Sequence, residues 1–199
     1  VATNIGADDE ADFNQWYDHE HVEERVAISG FLSGTRYQAI NAERKYLGLY
    51  ETESLEAFTS VDYHAAFTRQ TEWSVKNLQK MVNPMRRVCA VTHTHGKGTG
   101  SQLAVVTLAQ AADSAALSAW QQQIGQTPGY ISSSLLTPDA DLSTPLPMEG
   151  KENRQMLLIS CSDAPCCDRL ASVAAELLTG EVQRYALSWT LTRQEMTHG

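Results

Sequence analysis

The residues best suited to chemistry lie between Phe13 and Arg25, where Trp16, Tyr17, Asp18, Glu20, His21 and Glu24 crowd into one stretch. An α-helix turns about 100° per residue. With Phe13 at zero, Trp16, Tyr17, Glu20, Glu24 and Ala27 all fall within about 60° of it, and His21 sits at the edge of that stripe. A face that packs on a sheet should hold acids only if they have partners or a task, because an unpaired buried charge costs several kcal/mol. Desolvation would raise the carboxyl pKa of Glu20 and suit it to general acid–base work. Its structural alternative is an ion pair with Arg36 or a local polar network. His21, with an ordinary pKa of about 6.5, is the second proton carrier, held by Asp18 three residues before it or by Glu24 three residues after it. Glu20 and His21 are therefore the candidate catalytic residues. His19 points to the opposite side.

Trp16, Tyr17, Tyr37, Tyr50 and Trp73 are candidate walls of a substrate pocket, since small-ligand sites combine aromatic surfaces with a few polar groups. For Trp16 the competing reading is plain core packing. Tyr37 and Tyr50 depend on strand phase: Tyr46, Gly48 and Tyr50 alternate onto one face and Leu47, Leu49 and Glu51 onto the other. His93 and His95 have strand spacing on one face, which two metal ligands could use, but no third ligand follows at a suitable spacing. No metal and no cofactor are expected. No dinucleotide fingerprint, phosphate loop or serine nucleophile elbow occurs.

These groups belong to a chain of 199 residues, 42% hydrophobic and 20% charged, within the range of globular domains. A net charge of −9 disfavours nucleic acid and anionic membrane as partners. No apolar run approaches a membrane span, and no signal-peptide pattern opens the chain, which starts at Val1. The four cysteines lack zinc spacing and do not make a disulfide scaffold, so a cytoplasmic location is the default. Cys166 and Cys167 follow an N-cap-like Asp163 and a first-turn Pro165. A redox role there is weighed against simple packing.

The order of elements repeats. A strand at 1–5, a helix over 9–27, strands at 31–40 and 45–51, a short helix at 54–58, a helix near 63–81 broken by Pro84, and a strand at 87–94 make the first set. A linker follows at 97–101. Strands at 102–108, 130–136, 154–160 and 181–192, with helices at 113–123 and 165–178, make the second, and a long connection spans 137–153. Leu117–Trp120 echoes Phe13–Trp16, and three further local matches fall in the same order. The pattern is β-α-β-β-α-β twice, the ferredoxin-like unit, an α+β architecture. Each unit leaves one sheet face bare, and two tandem copies packed sheet to sheet would cover it. The expected division is 1–96 for the first unit, which bears the site, and 102–199 for a second, degenerate one. That second unit keeps neither the acids nor the histidine of the first helix.

The helix stretch Phe13-x-x-Trp16-Tyr17-Asp18-x-Glu20-His21-x-x-Glu24-Arg25, followed by Ser29-Gly30-Phe31, resembles the dimeric α/β-barrel superfamily, near its ether-degradation (EthD-like) branch. Lys45–Glu51 and Trp73 fit the same pattern. The resemblance implies a pocket between helices and sheet and, in the loop after the short helix, His64 at the roof of that pocket. It also implies relatives among cofactor-free monooxygenases of antibiotic biosynthesis, muconolactone-type isomerases, polyketide cyclases and haem-degrading enzymes, and here a cofactor-independent isomerase, cyclase or monooxygenase acting on an aromatic or polyketide-like metabolite. Three readings stay open: such an enzyme, a non-catalytic small-ligand binder, and a scaffold whose interior Trp16 and Trp73 fill. Sheet edges are left over, which a two-fold homodimer would cover.

Overall fold

The computed structural model describes residues 1–124, 127–143 and 153–196. Nine strands form one sheet. They are β1 (Ala2–Ile5), β2 (Phe31–Asn41), β3 (Tyr46–Thr52), β4 (Met81–Met85), β5 (Cys89–Gly96), β6 (Gln102–Leu108), β7 (Tyr130–Pro138), β8 (Met156–Cys161) and β9 (Gly180–Thr192). The first helix runs as α1 (Glu10–Trp16), a π-helical turn (Tyr17–His21) and α2 (Val22–Val26) without a break. Then come α3 (Val61–Thr68), α4 (Glu72–Gln79), α5 (Ser114–Ile124), α6 (Ala164–Leu178) and α7 (Arg193–Met196).

The strand order is β4-β1-β3-β2-β9-β6-β8-β7-β5, and every pairing is antiparallel. The two halves thus meet edge to edge through β2 and β9, in register from Ser33 opposite Thr192 to Asn41 opposite Arg184. They form one sheet rather than two stacked ones. Laid flat, nine strands at about 4.8 Å spacing would be about 38 Å wide. Yet β4 and β5, the two outermost strands, are joined by Arg86, Arg87 and Val88 alone, a stretch that reaches at most about 15 Å. The sheet must therefore curl into a barrel. Its inner face is a single apolar cluster drawn from both halves, with Tyr37, Leu47, Leu103, Val105, Met156 and Tyr185 among its members.

The helices cover the outer face. Under α1 and α2 lie Phe13, Trp16, Tyr17, Val22, Val26 and Tyr46. Under α5 and α6 lie Leu117, Trp120, Ile124, Leu170 and Ala174 with the outward residues of β6 and β8. Helix α6 starts as its sequence dictates: Asp163 caps it by accepting from the Cys166 amide, with Pro165 in the first turn. All four cysteines are free thiols.

Two expectations are corrected. The stretch 63–81 is α3, α4 and the start of β4, not one helix. Pro84 lies inside β4 because that strand is an edge, where a missing N–H costs no ladder bond, and because the register shifts there beside Asn83 at φ 49°. The strand placed at 87–94 is β5, but it pairs with β7 instead of closing the first half. Most of the 137–153 connection lies outside the described residues. Among the described residues, no helix is long and apolar enough to cross a membrane.

Candidate active site

The π-turn decides which side chains enter the first half. One additional residue in a helical turn sets back everything after it by about 100°. The even wheel points Glu20, Glu24 and Ala27 at the sheet. The structure instead buries His21, Arg25 and Ile28, which are 9%, 7% and 4% exposed. Ala27 is exposed and the two acids sit at the margin. Each expected position has moved on by one residue, so the premise of an acid-bearing inner face is overturned.

Glu20 accepts from the hydroxyls of Thr71 and Ser74 at the start of α4. Glu24 lies 3.4 Å from the Ser74 hydroxyl. Burial, and then the neighbouring Glu20 carboxylate, raise the Glu24 pKa. Glu20 and Glu24 face a shallow outer hollow with His19 and Glu23. Arg36 is not the partner of Glu20. It bonds Asp18 and donates to Asn14 Oδ1 at 2.9 Å, with its guanidinium 4.3 Å above the Tyr17 ring. Asp18 also accepts from Trp189 Nε1 at 2.7 Å, which ties the first helix to β9. Neither Asp18 nor Glu24 holds His21.

His21 borders a cavity of about 1360 Å³ that runs from beneath α2 and α3, past the edge of β3, to the inner face near Cys89 and Leu136. Beyond Gly48 the edge of β3 is uncovered: β1 pairs with β3 at Tyr46 and Leu47, and two more bonds join the Gly48 amide to the Val1 carbonyl and the Val1 amino terminus to the Gly48 carbonyl. The His21 ring packs 4.5 Å from Trp16 and 4.9 Å from Tyr17. Its Nδ1 is buried without a hydrogen-bond partner among the described residues. Burial first, then the charges of Arg25 and Arg36, push its pKa down to about 3. The ring is neutral at working pH, unlike the free imidazole the sequence suggests.

Tyr50 lines the cavity and donates its hydroxyl to Tyr17 at 3.3 Å. Burial raises both phenols, so the pair stays protonated. The Tyr17 hydroxyl comes so near Gly48 that a Cβ there would sit 2.3 Å from it. That contact settles the phase of β3: Tyr46, Gly48 and Tyr50 face the helix.

The remaining sequence candidates lie elsewhere. Trp16 is fully buried, donates to Ser74 Oγ at 2.9 Å and packs the core. Tyr37 is on the inner face, its phenol pushed up to about 12 by burial. Trp73 is half-buried against the core under the first helix and donates to Asp12 Oδ1 at 3.0 Å. His64 is exposed on α3 and does not border the cavity; its neighbour Tyr63 does. Neither Trp16 nor Trp73 fills the cavity, which removes the basis of the scaffold reading. His93 and His95 are exposed, and the described residues contain no group of three candidate metal ligands.

The residues that sequence reasoning missed are Arg25, Phe31, Phe58, Tyr63, Phe67 and Arg86, all on the cavity wall. Tyr63 and Phe67 were legible as an i, i+4 aromatic pair on one helix face; their rings are 4.9 Å apart. Phe31 stacks on Tyr63 with centroids 6.1 Å apart. Arg86 donates to the Tyr63 hydroxyl at 2.7 Å and steadies that wall.

No protein-family model matches the chain, and no curated protein sequence does. Solved structures do resemble it. An anthrone oxidase-like protein aligns over 96% of this chain and 90% of its own, with 13% identity and a TM-score of 0.61. A protein of Lactobacillus acidophilus NCFM, provisionally named a monooxygenase, aligns over 96% and 93%, with 10% identity and a TM-score of 0.57. Another with the same provisional name, from Fusobacterium nucleatum subsp. nucleatum, aligns over 96% and 91%, with 10% identity and a TM-score of 0.61. The chain has the dimeric α/β-barrel fold. Identity this low establishes the fold and leaves the chemistry to the site.

Proposed function

We propose that this protein is a small-molecule enzyme of the dimeric α/β-barrel type that oxygenates an activated aromatic or polyketide-like substrate, with the substrate's own acidity in place of a resident redox group. The observation that carries the reading is His21: a buried, neutral imidazole with an unpartnered Nδ1 on the wall of an aromatic cavity. Three structural neighbours named for oxidase or monooxygenase chemistry favour oxygenation over isomerisation or cyclisation. Overall, an activated CH₂ and O₂ give a carbonyl and water. A C–H proton leaves, the carbanion passes electrons to O₂, and the resulting peroxide eliminates water. His21 holds its Nδ1 proton against the substrate oxygen that carries the resulting negative charge, and Tyr50 walls the site beside it. Glu20 is a structural tie between α4 and the first helix.

The test is oxygen uptake with anthrone and with hydroxynaphthalene substrates. His21→Ala is expected to lower turnover about 10²–10⁴-fold, the range of one positioned proton-transfer group. Unchanged turnover in that variant, or none in the wild type, sinks the reading. A ligand-binding role without turnover is the second reading, and one observation favours it: a pKa of about 3 in the free protein is poorly matched to base catalysis near neutrality.

The strand orders β4-β1-β3-β2 and β9-β6-β8-β7 support reading the chain as two ferredoxin-like repeats. On that reading the boundary falls before β5 rather than at 97–101. Placement in the EthD-like branch, a cytoplasmic location and a further homodimer rest on the sequence alone.

A further inference from the structure

Arg25 is a buried cation that its own protein leaves unsatisfied. It is 7% exposed. A guanidinium carries five N–H donors, yet none makes a hydrogen bond among the described residues, and Nε is fully enclosed without a partner. The nearest acid atom, Glu24 Oε2, is 3.8 Å from Nη2, beyond hydrogen-bond range, and that carboxylate is turned towards Ser74. Phe67 lies 5.3 Å below the guanidinium carbon and presents a ring face. His21, one helical turn earlier, is equally bare on Nδ1. Compare Arg36, also buried, which has Asp18 and Asn14. An unpaired buried charge is costly enough that such groups persist where something else completes them.

Among the described residues Arg25 lies on the inner wall of the cavity, whereas the acids that border it, Glu51 and Glu53, are exposed at its mouth. We infer that Arg25 and His21 together seat one oxyanion, a carboxylate or phenolate oxygen, of an aromatic ligand whose rings lie among Phe31, Phe58, Tyr63 and Phe67. The planar fork of Arg25 suits a carboxylate or enolate edge, and the neutral imidazole adds a directed hydrogen bond to the same oxygen. This deepens the proposed activity by stating that the substrate enters as its anion, and it rests on that reading only for the word substrate.

The test measures binding, not turnover. The full chain is titrated calorimetrically at pH 7 with 2-naphthoate, with the neutral isostere 2-naphthamide, and with an acidic dinitrophenol that is ionised at that pH. The wild type is expected to bind 2-naphthoate at least about 10-fold more tightly than the amide, the worth of a hydrogen bond to a charged group. Arg25→Met is expected to remove that preference while binding the amide within about 2-fold of the wild type. Arg25→Lys keeps a charge without the fork and is expected to retain part of the preference. The dinitrophenolate arm tells whether the seat takes phenolate as well as carboxylate. Equal wild-type binding of acid and amide, no binding of either, or a preference that survives Arg25→Met overturns the inference. If Arg25→Met does not fold, the wild-type selectivity and the Arg25→Lys variant still decide it. Arg25-dependent anion binding without oxygen uptake would leave the seat standing and remove the activity.

Discussion

The helices Glu10–Val26 and Ser114–Ile124 begin alike and end differently. Phe13 and Trp16 in the first, and Leu117 and Trp120 in the second, are buried at the same spacing, each tryptophan at most 1% exposed. After Trp120 the described residues continue regularly for one turn and bury Ile124, over a cluster made of apolar side chains and thiols. After Trp16 comes the π-turn, and beside the apolar Val22 and Val26 the inward positions include His21 and Arg25, both short of hydrogen bonds. A stable core avoids such groups, and proteins break that rule mainly where a ligand or a reaction needs it. The contrast is that the second-half helix buries apolar groups alone, whereas the first buries two polar groups among its apolar ones.

The sharpest way to break this comparison is to make the first helix regular. Deleting His19, which is exposed, removes the surplus residue of the turn and rotates His21, Arg25 and Ile28 off the sheet by about 100°. The expected result is a loss of at least about 4 kcal/mol, in the range of major core disruption, together with lost ligand binding. A urea midpoint close to that of the wild type would show that the turn positions nothing.

A second test concerns the charge state of His21. Its folded pKa of about 3 lies below the ordinary 6.5. Between those values the unfolded chain holds a proton that the folded one does not, so stability falls as pH drops through that window. The loss approaches several kcal/mol by the lower end. His21→Gln should flatten the slope of stability against pH between about 6.5 and 3, whereas an unaltered slope would mean that the ring is solvated.

The smallest effect is expected from Glu20→Gln. It weakens the bonds from Thr71 and Ser74 and should cost about 1 kcal/mol, with binding and turnover unchanged. A fall in turnover as large as that of His21→Ala would restore Glu20 as a participant in the chemistry.

Most strands were legible because apolar and β-branched runs mark them in the sequence: β6 at 102–108 and β9 near 181–192 fall where those runs lie. β4 was not, because Pro84 reads as a breaker unless the strand is known to be an edge. The partner of β5 was hidden as well, since pairing across the barrel leaves no local mark. The inward face of the first helix was misread on a single point. A wheel of constant pitch cannot show a turn that closes five residues on instead of four. One signal did exist: skipping a residue after Tyr17 turns both glutamates outward and brings Ile28 in place of Ala27, a more apolar face. That reading would also have found Arg25.

The three-residue step from β4 to β5 gives the molecule two fastenings. Residues up to Gly96 grip those after Gln102 at β2–β9 and again at β5–β7. A hinge at 97–101 therefore cannot let the halves swing apart. The cavity's opening to the outside therefore lies at the uncovered margin of β3, by Glu51 and Glu53, and not in a seam between the halves.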